Sequence, residues 1–467
     1  FAFWLTRLLV AFLQTRQQVG PSQFVQFELH PDWRIVLFTL LLAVGCGLLF
    51  GLAPALRATR ISIAASLKES AANLRRGYGR LGIGRLILTL QAALSVLLVA
   101  AAGLFAGSLD HLLSSEPGFN PKDVTLVSID TDKRPEKGAA LLSLYGRLIA
   151  RLNTFRGVKA ATPIWFMPLS DAQWDESPSI PGRSDLTEDQ RDTYINLIGP
   201  RFFDAFEIPV LAGRGFTEGD TPVSERVGIL NELAARRFFP KTNPIGEHIV
   251  LGNPIRIIGI AGNIKYLNLR EPEPPELYIP YTQKTGDIPS LTFALKTLPG
   301  APSIYPAFRA VLHEIAPDVP IGITKTMQQQ MDDSVGRERL MASLSIFFGT
   351  LALLLTAIGL YGILAYSVTR RTGEIGIRLA LGARGHNVIW LVVREAMGHI
   401  VAGVVVGIGA TIGASRLVAS FLYGIEPNDP GNLFTAVFVL LLVAMAAAYL
   451  PALRASRLDP TVSLRQE

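Results

Sequence analysis

Five long runs of uncharged, mostly apolar residues constrain this chain more than any other feature of its sequence. They span residues 35–56, 86–108, 340–369, 396–415 and 433–453. His399 is the only side chain among them that can gain a proton near neutral pH. A helix needs about 20 apolar residues to cross the hydrocarbon core of a bilayer. One such run could be a buried helix of a soluble protein, but five of them predict a multi-pass membrane protein.

The charged residues divide the chain into a slightly acidic middle and basic flanks. Residues 109–338 hold 24 Lys and Arg against 29 Asp and Glu, whereas the rest of the chain holds 20 against 9. Basic loops beside membrane helices stay in the cytoplasm. We therefore expect the cell inner (plasma) membrane as the location, with 109–338 in the periplasm. The basic flanks predict contact with membrane lipids and not with nucleic acid, because aromatic residues do not alternate with them.

Part of the sequence occurs twice in the same order. PALRATR at 54–60 returns as PALRASR at 451–457, and TRLLVAFL at 6–13 is similar to SRLVASFL at 415–422. Internal repeats of this kind often form pseudo-dimers in membrane proteins. We expect 1–70 to be the end of a first membrane unit, carrying its last two helices. Because the chain opens inside an apolar segment without Met, the sequence favours a truncated N-terminus.

Motifs for catalysis and for nucleotide binding are missing from the sequence. Residues 71–85 form a basic cytoplasmic linker whose Gly77-x-Gly79-x-x-Gly82 lacks the preceding strand and distal acid of a dinucleotide site. The phosphate-binding pattern G-x-x-x-x-G-K-[ST] does not occur, nor do H-E-x-x-H and G-x-S-x-G. We therefore expect no catalytic residues, no cofactor, no metal and no enzyme activity in this chain.

The segment 109–338 has the periodicities of an α+β domain. Strand, helix and strand patterns follow one another at 124–129, 141–152 and 158–165, and again at 291–296, 304–315 and 320–324. Two such units predict a split ferredoxin-like fold. The insertion between them, about 166–286, is rich in Pro and Gly. It is expected to be mixed and rich in strands, at 227–230, 255–261 and 277–281.

Residues 371–383, between two apolar runs on the predicted cytoplasmic side, have the pattern of a short amphipathic helix. Glu374 precedes Arg378 by one helical turn, which is a favourable pairing. Such a helix can lie on the lipid surface or dock into the groove of a partner, and the pattern favours neither. The candidate contact residues combine charge with apolar surface, and they are Arg371, Glu374, Ile375, Ile377, Arg378, Leu379 and Leu381.

Ordered motifs along essentially the whole chain resemble the FtsX/MacB-type ABC transporter permeases. RRTGEIGIRLALGA at 370–383, AIGLYGILAYSVT at 357–369 and YLPALRASRLDPTVSLRQE at 449–467 are similar to the permease domain of that family. GPRFF at 199–203 and LAGRGF at 211–216 are similar to its periplasmic core domain. The repeat further resembles the duplicated subfamily, in which two permease units form a pseudo-dimer within one full-length chain. In that comparison the first half is absent here.

The resemblance implies a membrane α-helical permease with an inserted periplasmic α+β domain. It assigns a membrane helix to 86–108, a MacB-like periplasmic core domain to 109–338, and an FtsX-like permease domain with three membrane helices to 339–467. Within the last, 371–383 would be the coupling helix that contacts a separate ABC ATPase subunit.

Two functions follow from the resemblance. The first is efflux or release of a hydrophobic or peptide-like substrate by mechanotransmission, with a periplasmic or outer-membrane partner. The alternative is a non-transporting signalling or structural protein, which would relay ATP hydrolysis to a periplasmic partner such as a wall hydrolase. A shared fold does not choose between them.

Overall fold

The computed structural model describes residues 33–34, 36–41, 43–45, 82–132, 134, 137–284, 290–370, 372–381 and 384–456. The predictions for 1–70 and 71–85 fall almost entirely outside these residues. Within 1–85, the described residues are 33–34, the described parts of a short apolar helix, Val36–Gly45, and the start of the first long helix.

The chain divides into two compact units. The first, which we call the α+β unit, comprises Ala106–Ala342 and Tyr423–Ile425. The second, the helical unit, comprises the described parts of Val25–Phe105, Ser343–Leu422 and Glu426–Glu467.

From residue 82 onward the elements are numbered in chain order. The helices are α1 (Gly82–Ser114), α2 (Ala139–Asn153), α3 (Glu188–Arg191), α4 (Phe202–Phe206), α5 (Glu232–Phe238), α6 (Tyr305–Ile315), α7 (Met327–Ser334), α8 (Gly336–Arg370), α9 (Thr372–Ala380), α10 (Gly385–Val418) and α11 (Pro430–Ser456). The strands are β1 (Val124–Ile129), β2 (Val158–Ile164), β3 (Asp175–Glu176), β4 (Thr193–Ile198), β5 (Val210–Gly213), β6 (Val227–Asn231), β7 (His248–Leu251), β8 (Asn253–Ala261), β9 (Glu276–Pro280), β10 (Thr292–Thr297) and β11 (Ile321–Thr326).

Four of the helices are long and apolar enough to cross a membrane, namely α1, α8, α10 and α11. Each contains one of the uncharged runs, so four of the five predicted membrane segments are confirmed as helices. A helix satisfies its own backbone hydrogen bonds, which lipid cannot do for it. The fifth predicted segment, 35–56, lies largely outside the described residues.

The α+β unit is built on one sheet of 11 strands. At one end, β11, β1, β10 and β2 are neighbours in that order, and every adjacent pair is antiparallel. With α2 following β1 and α6 following β10, this is the ferredoxin-like arrangement, split between its second and third strands. The predicted fold class is confirmed, and the ends of β1 match the prediction residue for residue.

The insertion extends the same sheet from β4 to β5. It joins the ferredoxin-like part through one residue pair, Ile164 of β2 opposite Ile198 of β4. Within the insertion, β4 pairs with β9 and β6 pairs with β8, both in parallel. Both β6 and β9 are buried along their whole length, as strands covered on both faces are.

In the helical unit, close contacts between small residues hold the helices together. Gly403 and Gly407 of α10 face α1, where they meet Ala92 and Ala93. A buried hydrogen bond of 2.8 Å links Ser95 of α1 with Thr356 of α8. Lipid provides no hydrophobic driving force between helices, so close packing and interhelical hydrogen bonds stabilise such an assembly.

Candidate functional site

The candidate coupling helix, α9, is a nine-residue helix between α8 and α10. At its first residue, the Thr372 hydroxyl donates to the carbonyl oxygens of Val368 and Thr369, at 3.2 Å and 2.8 Å. The helix is therefore tied at its start to the last turn of α8. At its other end, the backbone N–H of Leu381 donates to the carbonyl oxygen of Ile377 at 2.9 Å, which continues the helical pattern by one residue.

Ile375 fastens α9 to the rest of the helical unit. Its side chain is 4% exposed and packs in a cluster with Val388 of α10 and Ala455 of α11, beside Val368 of α8. The cluster that contains Ile375 thus includes residues of all three neighbouring long helices. A displacement of α9 would be passed directly to those helices, because well-packed side chains resist compression.

The opposite side of α9 presents apolar side chains outward. Ile377 is 50% exposed and Leu381 is 83% exposed, and they are separated by one helical turn. Arg378 is also exposed. An exposed isoleucine–leucine pair beside an arginine is suited to a partner surface with an apolar groove and an acidic rim.

Three of the predicted contact residues have no described side chain. Arg371 lies outside the described residues, as do the side chains of Glu374 and Leu379. The predicted pairing of Glu374 with Arg378 therefore stays a prediction. The division of the apolar residues into a buried Ile375 and an exposed Ile377 depends on residues of α10 and α11, which local spacing does not reveal.

In the α+β unit, the ionisable side chain of Glu207 stabilises the fold. The Glu207 carboxylate accepts hydrogen bonds from Asn120, Lys159 and Lys296, which lower its pKa to about 2. These three residues lie before β1, on β2 and on β10, so the carboxylate links neighbouring strands of the sheet. Among the described residues, no group of three His, Cys, Asp or Glu side chains could hold a metal ion.

Two family models match the chain, one for each kind of unit. An FtsX-like permease C-terminal domain matches residues 346–460, and a MacB-like periplasmic core domain matches residues 89–302. The first covers most of α8 and the helices that follow it, including α9. The second covers most of α1 and the α+β unit through β10.

Curated relatives match the chain at modest identity. The ABC transporter permease YknZ of Bacillus subtilis is 26% identical over 384 residues, which cover 80% of this chain and 92% of that protein. The macrolide export ATP-binding/permease protein MacB of Rhodospirillum rubrum is 29% identical over 59% of this chain. The probable syringafactin export ATP-binding/permease protein SyfD of Pseudomonas syringae pv. tomato is 27% identical over 63% of this chain.

The matches differ in how much of each relative they include. The chain spans 43% of MacB from R. rubrum and 45% of SyfD, both of which are ATP-binding/permease proteins. It spans nearly all of YknZ, a permease. Together with the four membrane-length helices and the α+β unit, these matches identify a permease subunit. The chain is therefore an ABC transporter permease of the FtsX/MacB type, a multi-pass membrane protein with a periplasmic or extracellular core domain.

Proposed function

We propose that this permease couples a separate ABC ATPase to the movement of its extracytoplasmic core domain, and that the ATPase binds the exposed side of α9. The observation that carries the proposal is the division of α9 into two sides. Ile375 ties the helix to α8, α10 and α11, while Ile377 and Leu381 point away from that cluster. Binding on the outer side would move the inner side with it.

The interior of the helical unit supports a mechanical role. A Cβ atom added to Gly403 would lie 2.6 Å from the Ala92 Cβ, and one added to Gly349 would lie 3.3 Å from the Leu98 carbonyl oxygen. Helices in such close contact move as one body. We infer that the substrate does not pass between α1, α8 and α10.

The lengths of α1 and α8 also support the transmission of a displacement across the membrane. Both α1 and α8 contain residues of the helical unit and of the α+β unit. An α-helix rises 1.5 Å per residue, so a helix of more than 30 residues exceeds the roughly 30 Å of a hydrocarbon core. Continuous helices of this length are suited to carrying a displacement from one side of the membrane to the other.

We further propose that the transported molecule is hydrophobic or peptide-like and is released on the extracytoplasmic side. The names of MacB and SyfD, which describe export of macrolides and of syringafactin, support export as the direction. A periplasmic or outer-membrane partner would receive the molecule. The repeat of 54–60 at 451–457 supports a second permease unit of the same kind, so that two units form a pseudo-dimer.

A relay without transport is the second candidate, and the same packed interior supports it. In that case the core domain would act on a periplasmic partner such as a wall hydrolase. The two candidates differ in what deletion of the gene changes. For export, deletion raises the amount of substrate retained by the cells, and the intact gene restores it. For a relay, retention stays unchanged while the partner loses activity.

Both candidates require a bound ABC ATPase. This requirement is tested by purifying the tagged chain in mild detergent from the cells that normally produce it. We expect ATP hydrolysis that is sensitive to vanadate in the eluate, and an ABC ATPase identified by mass spectrometry in a fixed ratio to the permease. An eluate that contains the permease without any ABC ATPase would contradict the proposal.

A further inference from the structure

Two tryptophans of the α+β unit enclose the ammonium group of a lysine. Trp165 directly follows β2 and Trp174 directly precedes β3, and their rings lie edge to face with centroids 5.4 Å apart. The Nζ atom of Lys284, in the segment after β9, lies 4.3 Å from the ring centroid of Trp174 and 5.5 Å from that of Trp165. Both distances are those of a cation–π interaction. We call the two rings the tryptophan cage.

The backbone of β4 holds both tryptophans in place. The backbone N–H of Trp165 donates to the carbonyl oxygen of Leu197 at 2.9 Å, and the backbone N–H of Ile195 donates to the carbonyl oxygen of Trp174 at 2.7 Å. The ring of Phe166 stacks on that of Trp165, with centroids 4.3 Å apart. The cage is therefore organised before any ligand arrives, which reduces the entropic cost of binding.

Lys284 is held in the cage by its contacts with the two rings. In the described part of the α+β unit, its ammonium forms no ion pair and no hydrogen bond with another protein group. A lysine ammonium has three donors and is strongly hydrated, and an aromatic face replaces that water only in part. Because Lys284, Trp165 and Trp174 are all half-buried, small solutes reach the cage from water. Another cation can therefore take the place of the lysine.

Carboxylates lie at the rim of the cage. The indole N–H of Trp174 donates to the Glu176 carboxylate at 3.2 Å. Asp175 stands between these two residues in the chain and is exposed. A surface region with charges of one sign raises the local concentration of ions of the opposite sign. The negative charge beside Trp174 therefore favours a cationic ligand over a neutral or an anionic one.

We propose that the tryptophan cage binds the quaternary ammonium group of a small organic cation, and that Lys284 occupies the cage when no ligand is present. A quaternary ammonium exposes methyl groups instead of N–H donors, so it loses less hydration than a lysine when it enters an aromatic cage. The half-buried ring of Phe166, stacked on Trp165, offers apolar surface to the hydrocarbon part of the ligand. Binding at this site requires neither an ATPase nor transport.

The test uses choline as the probe and measures its binding to the purified full-length chain in a maltoside detergent. Binding is followed by saturation-transfer NMR at constant ionic strength. The matched ligand is the neutral alcohol of the same shape, in which a carbon atom replaces the charged nitrogen. We expect saturable binding of choline and about tenfold weaker binding of the neutral alcohol, which lacks the cation–π interaction.

Substitutions in the cage should change choline binding in opposite directions. Lys284→Gln removes the internal competitor, so we expect choline to bind at least about threefold more tightly. Trp174→Leu removes the ring nearest the ammonium, so we expect binding to weaken about tenfold. Trp174→Phe keeps an aromatic face at the same place and should lose less.

Lys241→Gln is the matched control, because Lys241 is an exposed lysine of the same unit that contacts no ring among the described residues. It should leave choline binding unchanged. Equal binding of choline and the neutral alcohol, no gain in Lys284→Gln, or an equal gain in Lys241→Gln would overturn the proposal. If Trp174→Leu fails to fold, since Trp174 packs against the core of the unit, Lys284→Gln decides, because it changes only the occupant of the cage.

Discussion

Gly407 of α10 lies directly against the backbone of Ala93 in α1, so that a Cβ atom on Gly407 would be 2.8 Å from the Ala93 carbonyl oxygen. One turn earlier, a Cβ on Gly403 would be 2.7 Å from the carbonyl oxygen of Thr89. The obstacle in both cases is backbone, which cannot move aside as a flexible side chain can. Glycines four residues apart therefore set the distance between these two helices.

Gly407→Ala should destabilise the helical unit. We expect a cost of about 1–3 kcal/mol, the usual range for an overpacked contact, measured as a lower midpoint of thermal unfolding in detergent. Gly409→Ala is the control in the same helix, because a Cβ there meets nothing within 4 Å. The control should be neutral or slightly stabilising, since alanine favours a helix by about 0.5–1 kcal/mol over glycine. Equal effects of the two substitutions would contradict the close contact.

Glu276 of β9 gives the α+β unit a dependence on pH. Its side chain is 1% exposed, and burial raises the pKa of its carboxyl well above the ordinary value of 4.5. As the pH rises above 4.5, the unfolded chain loses this proton while the folded chain keeps it. The free energy of unfolding contributed by Glu276 therefore falls as the pH rises.

Glu276→Gln should remove that dependence. We expect the variant to unfold at least about 2 °C above the unmodified chain at pH 8, which corresponds to roughly 1 kcal/mol in a domain of this size. The gain should shrink towards pH 4. Glu247→Gln, at an exposed position, is the control and should leave the unfolding temperature unchanged at pH 8 and at pH 4. A gain at pH 8 that persists unchanged at pH 4 would show that ionisation of Glu276 is not the cause.

The contribution of Glu207 to stability should change with pH in the opposite direction to that of Glu276. Because its pKa is lowered to about 2, its stabilising effect is present at neutral pH and is lost as the pH falls from 4.5 towards 2. Lys296, which is 4% exposed, lies 3.2 Å from this carboxylate. Glu207→Gln leaves the buried ammonium without its counter-charge. We expect a loss of about 1–3 kcal/mol at pH 7 and a weaker acid dependence, both from thermal unfolding.

Lys159→Gln provides the comparison for Glu207. Lys159 pairs with the same carboxylate at 3.0 Å, but both partners are exposed to water. Exposed ion pairs contribute about 0–1 kcal/mol. The Lys159 variant should therefore lose much less stability than Glu207→Gln. A larger loss of stability in Lys159→Gln than in Glu207→Gln would mean that the ion pair of Glu207 with the buried Lys296 is not the main source of stability.

The sequence predicts those parts of the fold whose signals are local. The long uncharged runs indicate α1, α8, α10 and α11, and the alternation in 124–129 gives β1 with its ends. The sequence does not predict strand β4, although its residues are mostly apolar, because Asn196 interrupts the run. Its side chain is satisfied only by the fold, where it bonds to the backbone N–H and carbonyl of Phe166, 30 residues earlier.

The sequence predicts the helix of the candidate site, but it does not predict which residues of that helix face inward and which face outward. The amphipathic pattern of 371–383 is sufficient to indicate a helix, and α9 occupies most of that range. Which apolar residues face inward depends on Val388 and Ala455, and the latter lies 80 residues away from Ile375. Periodicity cannot reveal such contacts, because it contains no information on which helices become neighbours.

The most direct measurement is the amount of ABC ATPase that co-purifies with Leu381→Asp. The substitution places a carboxylate at Leu381, which directly follows α9 and is 83% exposed, and leaves the buried Ile375 contact intact. We predict unchanged permease yield and at least about a tenfold loss of bound ATPase, as for removal of a central interface residue. Asn387→Asp, the same change of charge at an exposed position of α10, should retain the ATPase. Full retention of the ATPase by Leu381→Asp would contradict the assignment of α9 as the coupling helix.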